Sequence, residues 1–231
     1  EIFGDMLKID YDAIIAGSGA TIECDHESIE ENALSKEESE YLTKYLLDRN
    51  IPANFESSTI IYANQFTKDT MLKKVEEQCK GKSEEEKAKH GLTILTSQIT
   101  VVDSLEGLSY NKVSVIDNGK TPYKTIQDDL SDRYVVIPAT FAPLGKESGE
   151  ITSFHINKAT GMDSVIRYFN ADIKDTIAIG DGFNDLPMFE KAHLSVAMGN
   201  APQEIKDKAD IITTSLDEDG VYNAFKELKL I

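Results

Sequence analysis

The chain has 231 residues, 40% of them hydrophobic, with 41 acidic against 24 basic residues and a formal net charge of −17. That length and apolar content suffice for one large or two modest cores; the negative field disfavours nucleic acid and anionic membrane as partners, so an anionic substrate needs a local positive group. No apolar run approaches the roughly 18 residues of a membrane span, and the opening EIFGDMLKID lacks the basic-then-apolar layout of a secretory leader, so a cytoplasmic location is expected.

From the N-terminus, DAIIAGSGATIEC (residues 12–24) reads as strand, glycine-rich turn, strand. SKEESEYLTKYLLDRN opens with a capping box, Ser35 to Glu38, and continues as an amphipathic helix. STIIYAN and KVSVID read as strands, KDTMLKKVEEQCKGKSEEEKAKHG as a charged helix with a loose end, and RYVVIPAT (133–140) as a further strand before the connection PLGKESGE. The last third is the most regular. Met162, Val165, Ile166 and Phe169 recur at i, i+3, i+4, i+7 and predict one apolar helix face. TIAIG (176–180), LSVAM (194–198) and ADIIT (209–213) are short β-type runs separated by helical segments, with Pro187 and Pro202 near helix starts, where a missing N–H costs little. Strand, helix, strand, helix, strand is the grammar of a parallel sheet with crossovers. The expected organisation is an α/β core built from residues 1–24 and 151–231, interrupted by a mixed α/β insert at 25–150. Cys24 and Cys79 form no CxxC or Cys/His cluster, so neither a disulfide framework nor a zinc site is indicated.

AIGDGFND (178–185) packs two glycines and two aspartates into the turn after an apolar run. In an open parallel sheet ligands bind beyond the carboxyl ends of the strands, and Asp181 falls there. Gly180 and Gly182 permit tight backbone geometry, and Asp185 lies where the next helix begins. Asp181 and Asp185, with Asn184 between them, are hard oxygen ligands suited to Mg²⁺. Read without chemistry, the same aspartates end a strand and cap a helix. Upstream, Lys158 in INKATGM starts the amphipathic helix that carries the chain back to TIAIG, which places Lys158 and Asp181 at one edge of the sheet. An ammonium there balances a phosphoryl dianion or the carboxylates themselves.

The segment from NKATGMDSVIRYFN through GDGFND to DEDGV resembles the C-terminal half of haloacid dehalogenase (HAD) superfamily phosphatases of the Cof-type, subclass IIB. Lys158 matches the third motif of that family and GDGFND the fourth, while AMGNAP and ADIIT match the usual sequel. DAIIAGSGATI resembles the stretch after the second motif that commonly reads NGA, with Ser18 in place of the asparagine. The resemblance implies a Rossmann-type parallel sheet core under a large inserted α/β cap, and Mg²⁺-dependent hydrolysis of small phosphorylated metabolites through an aspartyl-phosphate intermediate. Carried over, it has Lys158 contacting phosphate and nucleophile, Asp181 binding Mg²⁺, Asn184 touching phosphate and Asp185 supporting the metal site.

The family's nucleophile and general acid are two aspartates of a DxD motif ending the first strand. Asp10 and Asp12 in DYDA have the spacing but precede their strand; Asp217 and Asp219 in DEDG are separated from theirs by TTS and begin the last helix. Neither pair is expected to supply the nucleophile. The expectation is therefore that the chain starts after the first two motifs and is a fragment of an active phosphatase. Its competitor is a catalytically inactive scaffold that keeps the metal turn and binds ligand. A dinucleotide site at GSGATI is disfavoured, since that turn lacks a third glycine and leads into a strand.

Overall fold

A computed structural model describes residues 9–231, so the first part of the expected 1–24 core segment lies outside the described residues. In chain order the elements are β1 (Ala13–Ala16), β2 (Thr21–Cys24), β3 (Glu27–Glu31), α1 (Lys36–Asp48), β4 (Ala53–Glu56), β5 (Ile61–Ala63), α2 (Gln65–Gln78), α3 (Glu84–Ala88), α4 (Gly91–Gln98), β6 (Ile99–Val101) and β7 (Lys112–Val115). They continue with α5 (Tyr123–Leu130), β8 (Val135–Pro138), β9 (Gly149–Thr152), α6 (Lys158–Tyr168), β10 (Ile177–Gly180), α7 (Leu186–Lys191), β11 (Leu194–Ala197), α8 (Gln203–Lys206), β12 (Ile211–Ile212) and α9 (Gly220–Glu227). Two compact units result: residues up to Glu30 together with Asn157–Ile231, and Glu31–Ile156.

In the first unit β10, β11 and β12 pair in parallel, with Gly180 opposite Ala197 and Ala197 opposite Ile212. Strand side chains alternate between faces. Ala178 and Ala197 are small and buried, and beside them Phe189 of α7, Ala201 and Ile205 of α8 form a compact apolar cluster. β1 and β2 form an antiparallel hairpin flanked by β3, and α6 packs against both hairpin strands. The GSGA turn of that hairpin runs through positive φ at Gly17, Ser18 and Gly19 and enters a strand. Its contact with the start of α6 is so close that a Cβ at Gly19 would lie 2.0 Å from the Asn157 carbonyl oxygen. Gly161 similarly lets α6 approach Ile15, whose Cγ2 would lie 2.5 Å from an added Cβ. Of the expected apolar face, Met162, Val165 and Ile166 are half-buried. The buried positions of α6 are Gly161 and Ser164, while Phe169 is its C-cap and is 41% exposed.

The second unit holds a six-stranded sheet in the order β6-β5-β4-β7-β9-β8. Phe55, Val113 and Ile151 face one another across β4, β7 and β9 and are buried. Tyr110 stacks edge-on against Phe55 with ring centroids 5.1 Å apart, and its hydroxyl donates to the Ser39 carbonyl of α1 at 2.8 Å. The opposite face is covered where Ala63 and Ile99 meet Met71 of α2 and Leu92 of α4. The capping box is present: the Ser35 hydroxyl accepts from the Glu38 N–H at 3.2 Å, and Glu38 Oε2 accepts from the Ser35 N–H at 2.8 Å. The long charged helix, by contrast, breaks. α2 ends at Gln78 with Cys79 as its C-cap, Gly81 turns the chain with φ +81°, and Ser83 caps the short α3 before α4 begins.

Candidate active site

β10 ends at Gly180, and Asp181 and Gly182 lead into a single 3-10 turn, Phe183–Asp185, before α7. Asp185 is 3% exposed because its side chain folds back beneath the turn it terminates. Its Oδ2 accepts from the N–H groups of Asp181 and Gly182, both at 2.9 Å. The space for this comes from Gly180, where an added Cβ would lie 2.4 Å from that same oxygen. Its other oxygen, Oδ1, accepts from Lys158 Nζ at 2.5 Å, in an ion pair whose side chains are 5% and 30% exposed.

Lys158 is the first residue of α6. Asn157 caps that helix, its Oδ1 accepting from the Thr160 N–H at 3.0 Å while Thr160 Oγ1 accepts from the Asn157 N–H at 3.2 Å. An ammonium carries three N–H donors. The Asp185 bond uses one, so the lysine can donate to a further anion. Asp181 is exposed, and its Oδ2 accepts from Asn200 Nδ2 at 2.8 Å. Asn184 is half-buried on the intervening 3-10 turn.

The four residues singled out from the sequence therefore belong to one short stretch of chain plus one helix start, and Asp185 joins the two. The two aspartates differ in role. Asp185 spends both oxygens on the turn and the lysine, whereas Asp181 presents its carboxylate outward. Among the described residues no group of three or more His, Cys, Asp and Glu side chains gathers into a metal cluster. Mg²⁺ does not require one: it binds through one or two carboxylates, retained waters and substrate phosphate oxygens. The exposed Asp181 carboxylate, on the turn whose Asp185 holds Lys158, fits that donor set.

Asp10 and Asp12 lie elsewhere. The Asp12 carbonyl accepts from the Asp25 N–H at 2.9 Å, and Asp25 Oδ2 accepts from the Tyr168 hydroxyl at 3.1 Å, at the last turn of α6. Lys158 is at the first turn, and 11 residues of helix span about 16 Å. Asp219 takes a left-handed conformation, φ +57°, as the N-cap of α9. Asn200 is the residue that reading the sequence missed. Its signal was position, in the loop after β11, which neighbours the loop after β10 in a parallel sheet.

The family model for haloacid dehalogenase-like hydrolases matches residues 2–225. The chain belongs to that family. Within this haloacid dehalogenase-like group, a stretch of 75 residues is 51% identical to "Putative phosphatase YkrA" of Bacillus subtilis, covering 32% of this chain and 29% of that protein. Another of 77 residues is 39% identical to the 5-amino-6-(5-phospho-D-ribitylamino)uracil phosphatase YcsE of the same organism, covering 33% and 31%. The matched stretches thus span less than a third of these relatives' lengths. Solved structures show the fold. A haloacid dehalogenase-like hydrolase from B. subtilis superposes with a TM-score of 0.76 at 20% identity, over 96% of this chain and 81% of its own. The HAD subclass IIB sugar phosphatase BT4131 does so at 0.71 and 21%, over 95% and 76%. Among the described residues no helix is long and apolar enough to cross a membrane.

Proposed function

We propose that this chain is a Mg²⁺-dependent phosphatase of the Cof type that hydrolyses small phosphorylated metabolites, sugar phosphates or similar esters, in the cytoplasm. One observation carries the reading: Asp185 holds Lys158 beside the turn that presents Asp181, at the carboxyl end of a parallel sheet. In this reading Lys158 binds phosphate with the donors that Asp185 leaves over, and Asn184 donates to a phosphate oxygen. Asp185 acts from below, fixing both the backbone of the turn and the lysine. Asp181 binds the metal, supported by Asp185. Mg²⁺ bound there supplies Lewis-acid stabilisation of charge on the transferring phosphoryl group. The unit that includes Asn157–Ile231 serves as the catalytic core and Glu31–Ile156 as the cap, which moves the expected boundaries at 24/25 and 150/151 by six residues each.

An aspartate of DxD type would attack phosphorus as the ester P–O bond breaks and the alcohol leaves, and water would then hydrolyse the acyl phosphate to free phosphate, which splits one difficult displacement into two. Asp10, Asp12, Asp217 and Asp219 are not assigned that role. The substrate class is supported by relatives named as phosphatases of phosphorylated small molecules. The test, on protein that carries a DxD segment, is phosphate release from a panel of sugar phosphates and p-nitrophenyl phosphate, with Mg²⁺ and with EDTA. Release that stops with EDTA and in Asp181→Ala, whose circular dichroism remains that of the wild type, is expected. Undiminished turnover in Asp181→Ala removes that residue from the metal site; ligand binding without any release favours an inactive scaffold.

A further inference from the structure

The end of β11 lies in register beside the end of β10, and the Met198 N–H donates to the Gly180 carbonyl at 2.9 Å. The next two residues run between the Asp181 turn and the segment 213–216. Gly199 makes this possible: its N–H donates to the Thr214 carbonyl at 3.0 Å, and a Cβ there would lie 2.6 Å from the Ser215 nitrogen. Asn200 follows, with both ends of its carboxamide engaged. Its Oδ1 accepts from the Leu216 N–H at 3.0 Å, and its Nδ2 donates to Asp181 Oδ2 at 2.8 Å. The backbone N–H can only donate and the carboxylate only accept, so the two contacts dictate the same amide orientation.

We infer that Asn200 is a positioning residue for the Asp181 carboxylate, anchored by the Leu216 N–H and holding one aspartate oxygen so that the other faces a bound cation. The inference rests on the functional reading above, in which Asp181 binds Mg²⁺. An exposed aspartate on a turn otherwise samples several rotamers, and fixing one beforehand removes an ordering cost from binding. Partners behind a ligating carboxylate typically change metal affinity by about 10–100-fold when removed.

The experiment is calorimetric titration of the full protein with MgCl₂ alone, so that the readout is affinity and not turnover. Asn200→Ala is expected to weaken Mg²⁺ binding by about 10–100-fold, with an unchanged melting temperature in metal-free buffer, which a merely structural role would lower. Leu216→Pro gives a second route that leaves Asn200 in place. Leu216 is the first residue of its 3-10 turn, Ser215 before it has φ −70° and ψ 169°, and Leu216 is 70% exposed, so proline fits and removes the anchoring N–H together with only an exposed side chain. It is expected to weaken binding in the same direction, with no additional loss when combined with Asn200→Ala. Wild-type affinity in both single variants overturns the inference; if Asp181→Ala still abolishes binding in that case, the functional reading survives. Wild-type affinity in Asp181→Ala itself ends both.

Discussion

A β-carbon added at Gly180 would lie 2.4 Å from Asp185 Oδ2 and 2.5 Å from its Cγ, so Gly180→Ala forces the carboxylate out of the place where it accepts from two turn amides and Lys158. The expected cost in stability is that of overpacking, about 1–3 kcal/mol, read as a lowered urea midpoint. Turnover is expected to fall further than stability, because the turn and the lysine lose their common support. A variant with wild-type midpoint and rate would show that the carboxylate tolerates displacement. This dependence also marks how far the site was legible. Asp181, Asn184 and Asp185 stand in one local motif, and Lys158 at a helix start that the sequence signals. The local signals place Asp181 at a strand end and Asp185 at a helix start, but the ion pair that occupies Asp185 spans 27 residues and has no local signature. Asn200 escaped for the same reason, since its partners Asp181 and Leu216 are 19 and 16 residues away.

The first turn of α1 joins local capping to long-range structure, because Glu38 closes the capping box on Ser35 and also accepts from the Ser153 hydroxyl at 2.8 Å. Burial acts to raise the Glu38 pKa, but the hydrogen bonds from Ser35 and Ser153 outweigh it and hold the carboxyl below its ordinary value. A depressed folded-state pKa contributes stability that is present above the unfolded value, about 4.3, and is lost as pH falls through the folded one. Glu38→Gln is therefore expected to lower the urea midpoint at neutral pH and to lose less on acidification than the wild type. Equal losses in the two proteins between about pH 5 and pH 3 would remove Glu38 from the acid response. Capping signals of this kind were legible because they lie within four residues, as were the three parallel strands, each a short apolar run. The break after Cys79 was harder to read. The charged residues on both sides favour helix, and the decision falls to Gly81 in the left-handed region and the Ser83 cap. β9 straddles the end of the connection PLGKESGE and the start of the next run, and its pairing with β7 and β8 is a tertiary choice.

At the scale of the whole molecule the two units differ in how the chain builds them: Glu31–Ile156 is continuous, whereas the other unit joins segments on either side of it. The continuous unit contains every strand of its six-stranded sheet, β4 to β9. It covers one face with Leu42 and Leu46 of α1 and Ile126 and Leu130 of α5, all at most 1% exposed, and part of the other with α2 and α4. Its charged side chains on the sheet are paired internally, Lys112 Nζ lying 3.0 Å from Glu56 and 3.7 Å from Glu150. The unit is well above the roughly 55–65 residues at which small domains fold alone, so residues 31–156 expressed separately are expected to unfold in one cooperative urea transition. A slope of about 1–3 kcal/mol per molar is appropriate to that size. Native-like near-ultraviolet circular dichroism should accompany it. A shallow transition with dye-binding apolar surface would instead describe a loosely packed state and show that this sheet depends on the rest of the chain for its packing.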